Sequence, residues 1–258
     1  MKRAGTMTHR VEYEPSPRRV RAVLRGETIV DSTDVLLVRE TGHTPVYYFP
    51  RDDVAMERLS STEKRTHCPW KGDACYWTIT TEGHAAENAA WAYRDPLPQA
   101  SALQDRIAFY WQSLDHWYEE DEEVFVHARD PRVRVDTLLS HRSVEVIHAG
   151  EVLARSNRAQ FLFETDLPIR YYIPPDDVRR DLLVESPTTT RCPYKGMATH
   201  LSLIIDGVAH EDIAWVYPDP IPECPRIASH IAFYNERVDR ILVDGKPVGR
   251  PQTAWSPG

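Results

Sequence analysis

Long apolar runs are missing from this 258-residue sequence. The strongest, Val35-Leu36-Leu37-Val38 and Leu201-Ser202-Leu203-Ile204-Ile205, fall far short of the roughly 20 residues that a membrane-crossing helix requires. No apolar stretch follows Lys2-Arg3, so no secretory leader is expected. Cysteine is scarce: Cys68, Cys75, Cys192 and Cys224 read as thiols of a chain that stays in the cytoplasm, not as a disulfide frame. Basic residues are in deficit, with 31 Lys and Arg against 39 Asp and Glu and a formal net charge of −8. That balance supplies no broad surface for neutralising phosphates, so neither nucleic acid nor membrane is expected as a partner. Glycine-rich phosphate loops are absent too, and Cys68-x6-Cys75 has neither the spacing nor the second pair of a zinc site. No metal and no cofactor is expected. What the chain does hold is proline: 20 residues, about 8% against an average near 5%. Such density cuts a chain into short elements and argues against a helical bundle.

The organising feature is an internal repeat. Cys68-Pro69-Trp70-Lys71-Gly72 returns 124 positions later as Cys192-Pro193-Tyr194-Lys195-Gly196. The same shift carries Tyr47-Tyr48 onto Tyr171-Tyr172, and Asp52-Asp53-Val54 onto Asp176-Asp177-Val178. It also carries Trp91, Tyr93, Asp95 and Pro96 onto Trp215, Tyr217, Asp219 and Pro220, and Ile107-Ala108-Phe109-Tyr110 onto Ile231-Ala232-Phe233-Tyr234. From Val20 to Asp115 the match needs no gap, and 33 of 96 positions are identical. This is a duplicated domain. The reading places a first copy at 18–117, an acidic and ordered connector at 118–141, and a second copy at 142–246, with the copies packed on each other. Residues before about 18 and the tail 249–258 read as frayed.

The duplication also filters candidates, because a function common to both copies needs residues common to both. Cys75 faces Thr199 and Cys224 faces Ala100, so neither belongs to a shared site. No histidine in the aligned span is retained in both copies, which leaves a duplicated histidine site unsupported.

Short Val, Ile and Leu stretches ending in Gly26 and Gly150, each followed by a renewed apolar stretch, predict strand, turn and strand. Further strands are expected at 34–39, 45–49, 74–81 and 89–93 and their partners. Asp206-Gly207 predicts a hairpin turn. A short helix is expected to open at Asp52 or Asp176, capped by its carboxylate. A terminal amphipathic helix is expected from the spacing of Leu103, Ile107, Tyr110 and Leu114, and of Ile227, Ile231, Tyr234 and Val238. The fold class is thus mainly β: two tandem copies of a compact antiparallel β-sheet domain (a sandwich, open barrel or tent-like arrangement), each ending in a helix.

Taken together, Tyr47-Tyr48 with Asp52-Asp53-Val54, Cys68-Pro69-Trp70-Lys71-Gly72, Trp91 to Pro96, and Ile107 to Tyr110 resemble the family known as domain of unknown function 427, and both copies carry the resemblance. It implies a compact, mainly β domain. A nucleotidyltransferase-type label sometimes attached to that family finds no counterpart in these residues, since a Gly-Ser turn followed by paired aspartates on a strand is absent. The first copy departs from the family pattern at Trp70, where tyrosine is usual, and at Arg106, where histidine is common; His230 keeps it in the second copy.

Two kinds of chemistry stay open. Tyr47, Tyr48, Lys71, Trp91, Tyr93 and Asp95, with Tyr171, Tyr172, Lys195, Trp215, Tyr217, Asp219 and His230, suit a pocket for a small planar or anionic ligand. Against this, Lys71 and Lys195 can be ordinary solvent-facing turn residues, the aromatics core packing, and the aspartates turn formers. The second possibility is an enzyme using Cys68 with Lys71, or Cys192 with Lys195, the cation favouring a thiolate; the bland counterpart is a structural thiol. A purely structural or interaction protein is the third reading.

Overall fold

The computed structural model describes residues 9–256. Its contacts divide the chain into two units, Met1–Asp130 and Pro131–Gly258. The first unit has strands β1 (Val11–Ser16), β2 (Val20–Leu24), β3 (Glu27–Ser32), β4 (Val35–Glu40), β5 (Val46–Pro50), β6 (Leu59–Cys68), β7 (Gly72–Thr81), β8 (His84–Tyr93), β9 (Arg106–Phe109), β10 (His116–Glu119) and β11 (Glu122–Val124). The second repeats them as β12 (Val135–Ser140), β13 (Val144–His148), β14 (Glu151–Ser156), β15 (Ala159–Glu164), β16 (Arg170–Ile173), β17 (Leu183–Cys192), β18 (Gly196–Ile205), β19 (Val208–Val216), β20 (Ile231–Phe233), β21 (Arg240–Val243) and β22 (Lys246–Pro247).

In the first unit a seven-stranded sheet runs β1-β4-β5-β9-β8-β7-β6, beside a four-stranded sheet β11-β10-β2-β3. The second unit matches it with β12-β15-β16-β20-β19-β18-β17 and β14-β13-β21-β22. All pairings between these strands are antiparallel and neither sheet closes into a barrel. Strict alternation of buried and half-buried residues on β2 and β13 presents one face to a core, as a period of two requires. Ile29, Phe49, Ile79, Ile107 and Trp117 belong to the larger core of the first unit. On the other face of the large sheet a smaller cluster holds Tyr48, Tyr76, Tyr93, Leu103 and Ala108. Asp206 and Gly207, with φ of 50° and 79°, form the expected hairpin turn between β18 and β19. No helix among the described residues is long and apolar enough to cross a membrane.

The terminal amphipathic helices do not form. Ile107-Ala108-Phe109 and Ile231-Ala232-Phe233 are central strands β9 and β20, every residue buried. A strand covered on both faces buries consecutive residues, so apolar positions at helical spacing carry no information about period there. Asp105 and Ser229, at φ of 56° and 58°, interrupt any helix just before each strand. What precedes β9 is a 3-10 turn, Pro98–Leu103. The helix expected at Asp52 is likewise only a 3-10 turn, Arg51–Asp53, with no side-chain cap. Its neighbour Asp53 instead accepts a hydrogen bond from Ser32 at 2.6 Å, repeated by Ser156 and Asp177 at 2.6 Å.

The described residues near each terminus are held in place as well. Residues 11–16 form edge strand β1, and Thr253 donates to Glu236 at 2.6 Å; residues 1–8 and 257–258 lie outside the described residues. Within 118–141 the acidic run is the β10–β11 hairpin, and only residues 120–123 of it are exposed. Glu119 is buried, accepting from Tyr47 Oη at 2.7 Å and Arg129 Nε at 3.1 Å.

The second unit carries two histidines where the first has Leu24 and Tyr76. His148 meets His210 at 3.0 Å and His200 meets Thr190 at 3.0 Å. Burial holds both rings below the usual histidine range. A base depressed in the folded state binds its proton first in the unfolded chain. The stabilisation is therefore complete above the ordinary value near 6.5 and is lost as pH falls through the folded-state value. Acidifying from pH 7.5 to 5 is expected to lower the amide protection factors, taken against the intrinsic rate at each pH, in β13 and β18 more than in β2 and β7; an equal fall in all four would refute it.

Candidate functional site

The Cys68-to-Gly72 block is the turn that joins β6 to β7, and it aims its lysine inward. Lys71 N–H donates to Cys68 O at 3.3 Å, and Lys71 O accepts from Leu97 N–H at 3.0 Å. Gly72 sits at φ 106°, where a Cβ would lie 3.4 Å from the backbone oxygen of Asp95. Gly196 repeats this at φ 103°, 3.4 Å from Asp219 O. Any side chain there meets both left-handed strain and rigid backbone, so Gly72→Ala is expected to destabilise its unit by about 1–2 kcal/mol in chemical denaturation. A loss below a few tenths would contradict this account of the motif.

Lys71 is only 7% exposed and its ammonium is bound by Glu40 at the end of β4. Lys195, 8% exposed, is bound identically by Glu164. The solvent-facing lysine thus does not occur in either copy. Burial alone would push the Glu40 carboxyl up, yet Lys71, with His43 and His9, holds it below the usual range. Against the pair stands a hydrogen-bonded aromatic couple. Trp91 Nε1 donates to Tyr48 Oη at 3.0 Å with edge-to-face rings, and Trp215 donates to Tyr172 at 3.1 Å. Burial pushes the hydroxyls of Tyr48, Tyr93, Tyr172 and Tyr217 above the usual tyrosine range, so all four remain neutral.

In the first copy these groups open onto a cavity of about 380 Å³. It lies where β5 begins and β9 ends. Glu40 and Lys71 contribute a compensated ion pair, while Tyr48, Trp91, Tyr93 and Tyr110 contribute aromatic wall. Tyr47, pointing to the opposite sheet face from Tyr48, reaches the same cavity, as do Val46, Trp111 and Gln112. The chain leaving β11 returns over the opening: His127 N–H bonds Phe125 O at 2.9 Å around Val126, whose φ is 74°, and Val126 and His127 line the cavity. A β-branched residue in that region is strained, and strain of this kind gathers around sites.

The second copy builds the same walls and fills the space between them. Arg170 stands where the first copy has Val46; each pairs one strand over with Leu162 or Val38. Its guanidinium lies 5.6 Å from the ring of Trp215 and 5.5 Å from that of Trp255 in the tail. Glu236, at the position of Gln112, accepts from both its terminal nitrogens at 2.7 Å, and Asn235 accepts at 3.2 Å. Arg170 and Glu236 are 7% and 0% exposed.

Other candidates stay apart from this site. Asp95 and Asp219 are exposed, contributing their carbonyls to the glycine turn. His230, bonded to Ala228 O at 3.0 Å, precedes β20 at the Ile173 end of its ladder. The cavity opens at the opposite end, roughly four residues or 13 Å along. Cys68 neighbours Tyr93, while Cys75 and Cys224 are buried, and burial pushes the Cys224 thiol up to about 12. Among the described residues no three His, Cys, Asp or Glu side chains assemble as a metal would need. Sequence reasoning passed over Glu40 and Glu164, although both copies retain this residue together with the threonine after it. Tyr110 and Tyr234, read from the sequence as repeat and helix positions but not as site residues, are wall residues 4.6 and 4.4 Å from the tryptophan rings.

No curated protein matches the chain. Residues 12–120 and 136–244 each match the domain of unknown function DUF427, and the chain therefore belongs to that family as two tandem members.

Proposed function

We propose that the first copy is a binding module for a small planar, partly polar molecule, and that the second copy carries the same architecture without an open site. The observation that supports this best is the cavity itself: an aromatic wall and an ion pair around one space of about 380 Å³. Concave, mostly aromatic sites with a few fixed polar groups are how small molecules are held. The anionic ligand loses ground because Lys71 is already neutralised by Glu40. A cysteine–lysine enzyme loses ground for the same reason, as the ammonium that would favour a thiolate is bound to a carboxylate.

A ligand-observed NMR screen of planar fragments tests the proposal against wild type and Val46→Arg/Gln112→Glu, which moves the filling pair of the second copy into the first. Hits that bind wild type and vanish in the double variant support the reading. A screen without hits, or hits untouched by the double variant, refutes it.

A further inference from the structure

Resting on the binding reading just given, we infer that the occupant is a small planar organic cation of the guanidinium or amidinium class, seated on Trp91 as the second copy seats Arg170 on Trp215. The argument compares equivalent positions. Trp91 and Trp215 are identical, each donates to an identical tyrosine, and each faces an identical Lys–Glu pair. The two sites differ in what lies on the indole. In the second copy it is a guanidinium, 5.6 Å from the Trp215 ring and 5.5 Å from that of Trp255, and bonded by Glu236 and Asn235. In the first copy Val46 brings no such group, and the wall stays open to a cavity of about 380 Å³. The protein thus supplies its own worked case of what this wall accepts.

Charge agrees. An indole face attracts cations through its quadrupole, more strongly when water is excluded. The neighbouring rings already attract them: Lys64 Nζ lies 4.3 Å from the Tyr76 ring, and Arg237 lies 4.4 Å from the Tyr234 ring. Glu40 and Lys71 cancel within the cavity, which leaves His43 and His127 as the other basic groups of its lining. Over a longer range, residues 1–130 carry 22 Asp and Glu against 16 Lys and Arg, whereas residues 131–258 carry 17 against 15. The unit with the open site is the more negative one, which raises the local concentration of cations. Gln112, replacing Glu236, keeps a carbonyl oxygen that can accept an N–H from the ligand's edge.

The test uses three probes of nearly one shape and different charge: benzamidinium, benzamide and benzoate, titrated calorimetrically into the full chain. Benzamidinium is expected to bind roughly tenfold more tightly than either other probe. Its affinity should fall at least tenfold in Val46→Arg/Gln112→Glu and weaken as salt rises. Should that double variant fail to fold, Trp91→Phe serves instead: it weakens the π-face and lowers benzamidinium affinity several-fold while leaving benzamide unchanged. Equal or tighter binding of benzamide or benzoate overturns the charge assignment while the pocket stands. Absence of benzamidinium binding, with planar fragments still bound in the NMR screen, also overturns it; absence of both removes the pocket reading itself. N-acetylarginine methylamide, run beside methylguanidinium, distinguishes an arginine side chain from a free small cation.

Discussion

Glu236→Ala is expected to destabilise the second unit by about 3–5 kcal/mol, since it strands a buried guanidinium without its carboxylate. Arg170 has no retreat to water: its strand β16 lies between β15 and β20, the residue is buried, and two indole rings lie 5.6 and 5.5 Å from its guanidinium. Removing the carboxylate also leaves the Thr253 hydroxyl without its acceptor, loosening the tail that carries Trp255. Restoring the first copy's neutral residues, Arg170→Val/Glu236→Gln, should recover most of the loss, because the desolvated charge disappears with its partner. Urea unfolding followed by tryptophan fluorescence decides the matter. A single-variant loss under 1 kcal/mol, or a double variant worse than the single, would mean that Arg170 is not held as described. Burial raises the Glu236 carboxyl, but Arg170 and Thr253 bring it below the usual range. The pair's contribution is therefore complete above about 4.5 and is lost as pH falls through the folded-state value. The double variant has a second consequence: it should open in the second copy a cavity like that of the first.

That pair also marks the boundary of what the sequence could reveal. Reading the two copies against each other exposes what they share, so Lys71, Tyr48 and Trp91 stand out by repetition alone, as do the hairpins and the β class. Position 46 against 170, and 112 against 236, are where the two copies place different side chains beside the tryptophan, and a filter for identity discards them. Glu40 failed to register for another reason. It ends a strand and lies 31 residues from the lysine that it binds, and sequence carries no local pattern for a contact across three strands. Asp95 and Asp219 passed the filter too, although their side chains are exposed and only their backbone oxygens come close to Gly72 and Gly196. The false helices share one cause with the missed edge strand β6. Periodicity reports one-sided burial, and it says little about a central strand buried on both sides or an edge strand exposed on nearly all of its length.

The ion pair beneath the cavity allows a test in which the sign of the pH dependence carries the answer. Lys71→Met is expected to destabilise the first unit by about 3–5 kcal/mol at pH 7, as the half-buried Glu40 loses the ammonium that offsets its desolvation. His9, at 3.1 Å, and the more remote His43 remain to share the charge. In the wild-type protein Glu40 lies below the usual carboxylate range, so acid weakens the fold. Without Lys71 burial outweighs the two histidines at neutral pH and the carboxyl moves above that range. The folded state then binds its proton before the unfolded chain does, and lowering the pH from 7 towards 5 should stabilise the variant relative to wild type. Lys71→Met/Glu40→Gln removes both charges and should recover most of the loss with no such pH dependence. Melting temperatures of wild type and the two variants across that range provide the check. If Lys71→Met melts like wild type at pH 7, or loses stability in parallel with it on acidification, the lysine is solvated, and the compensated ion pair cannot be what leaves the cavity free to accept a cation.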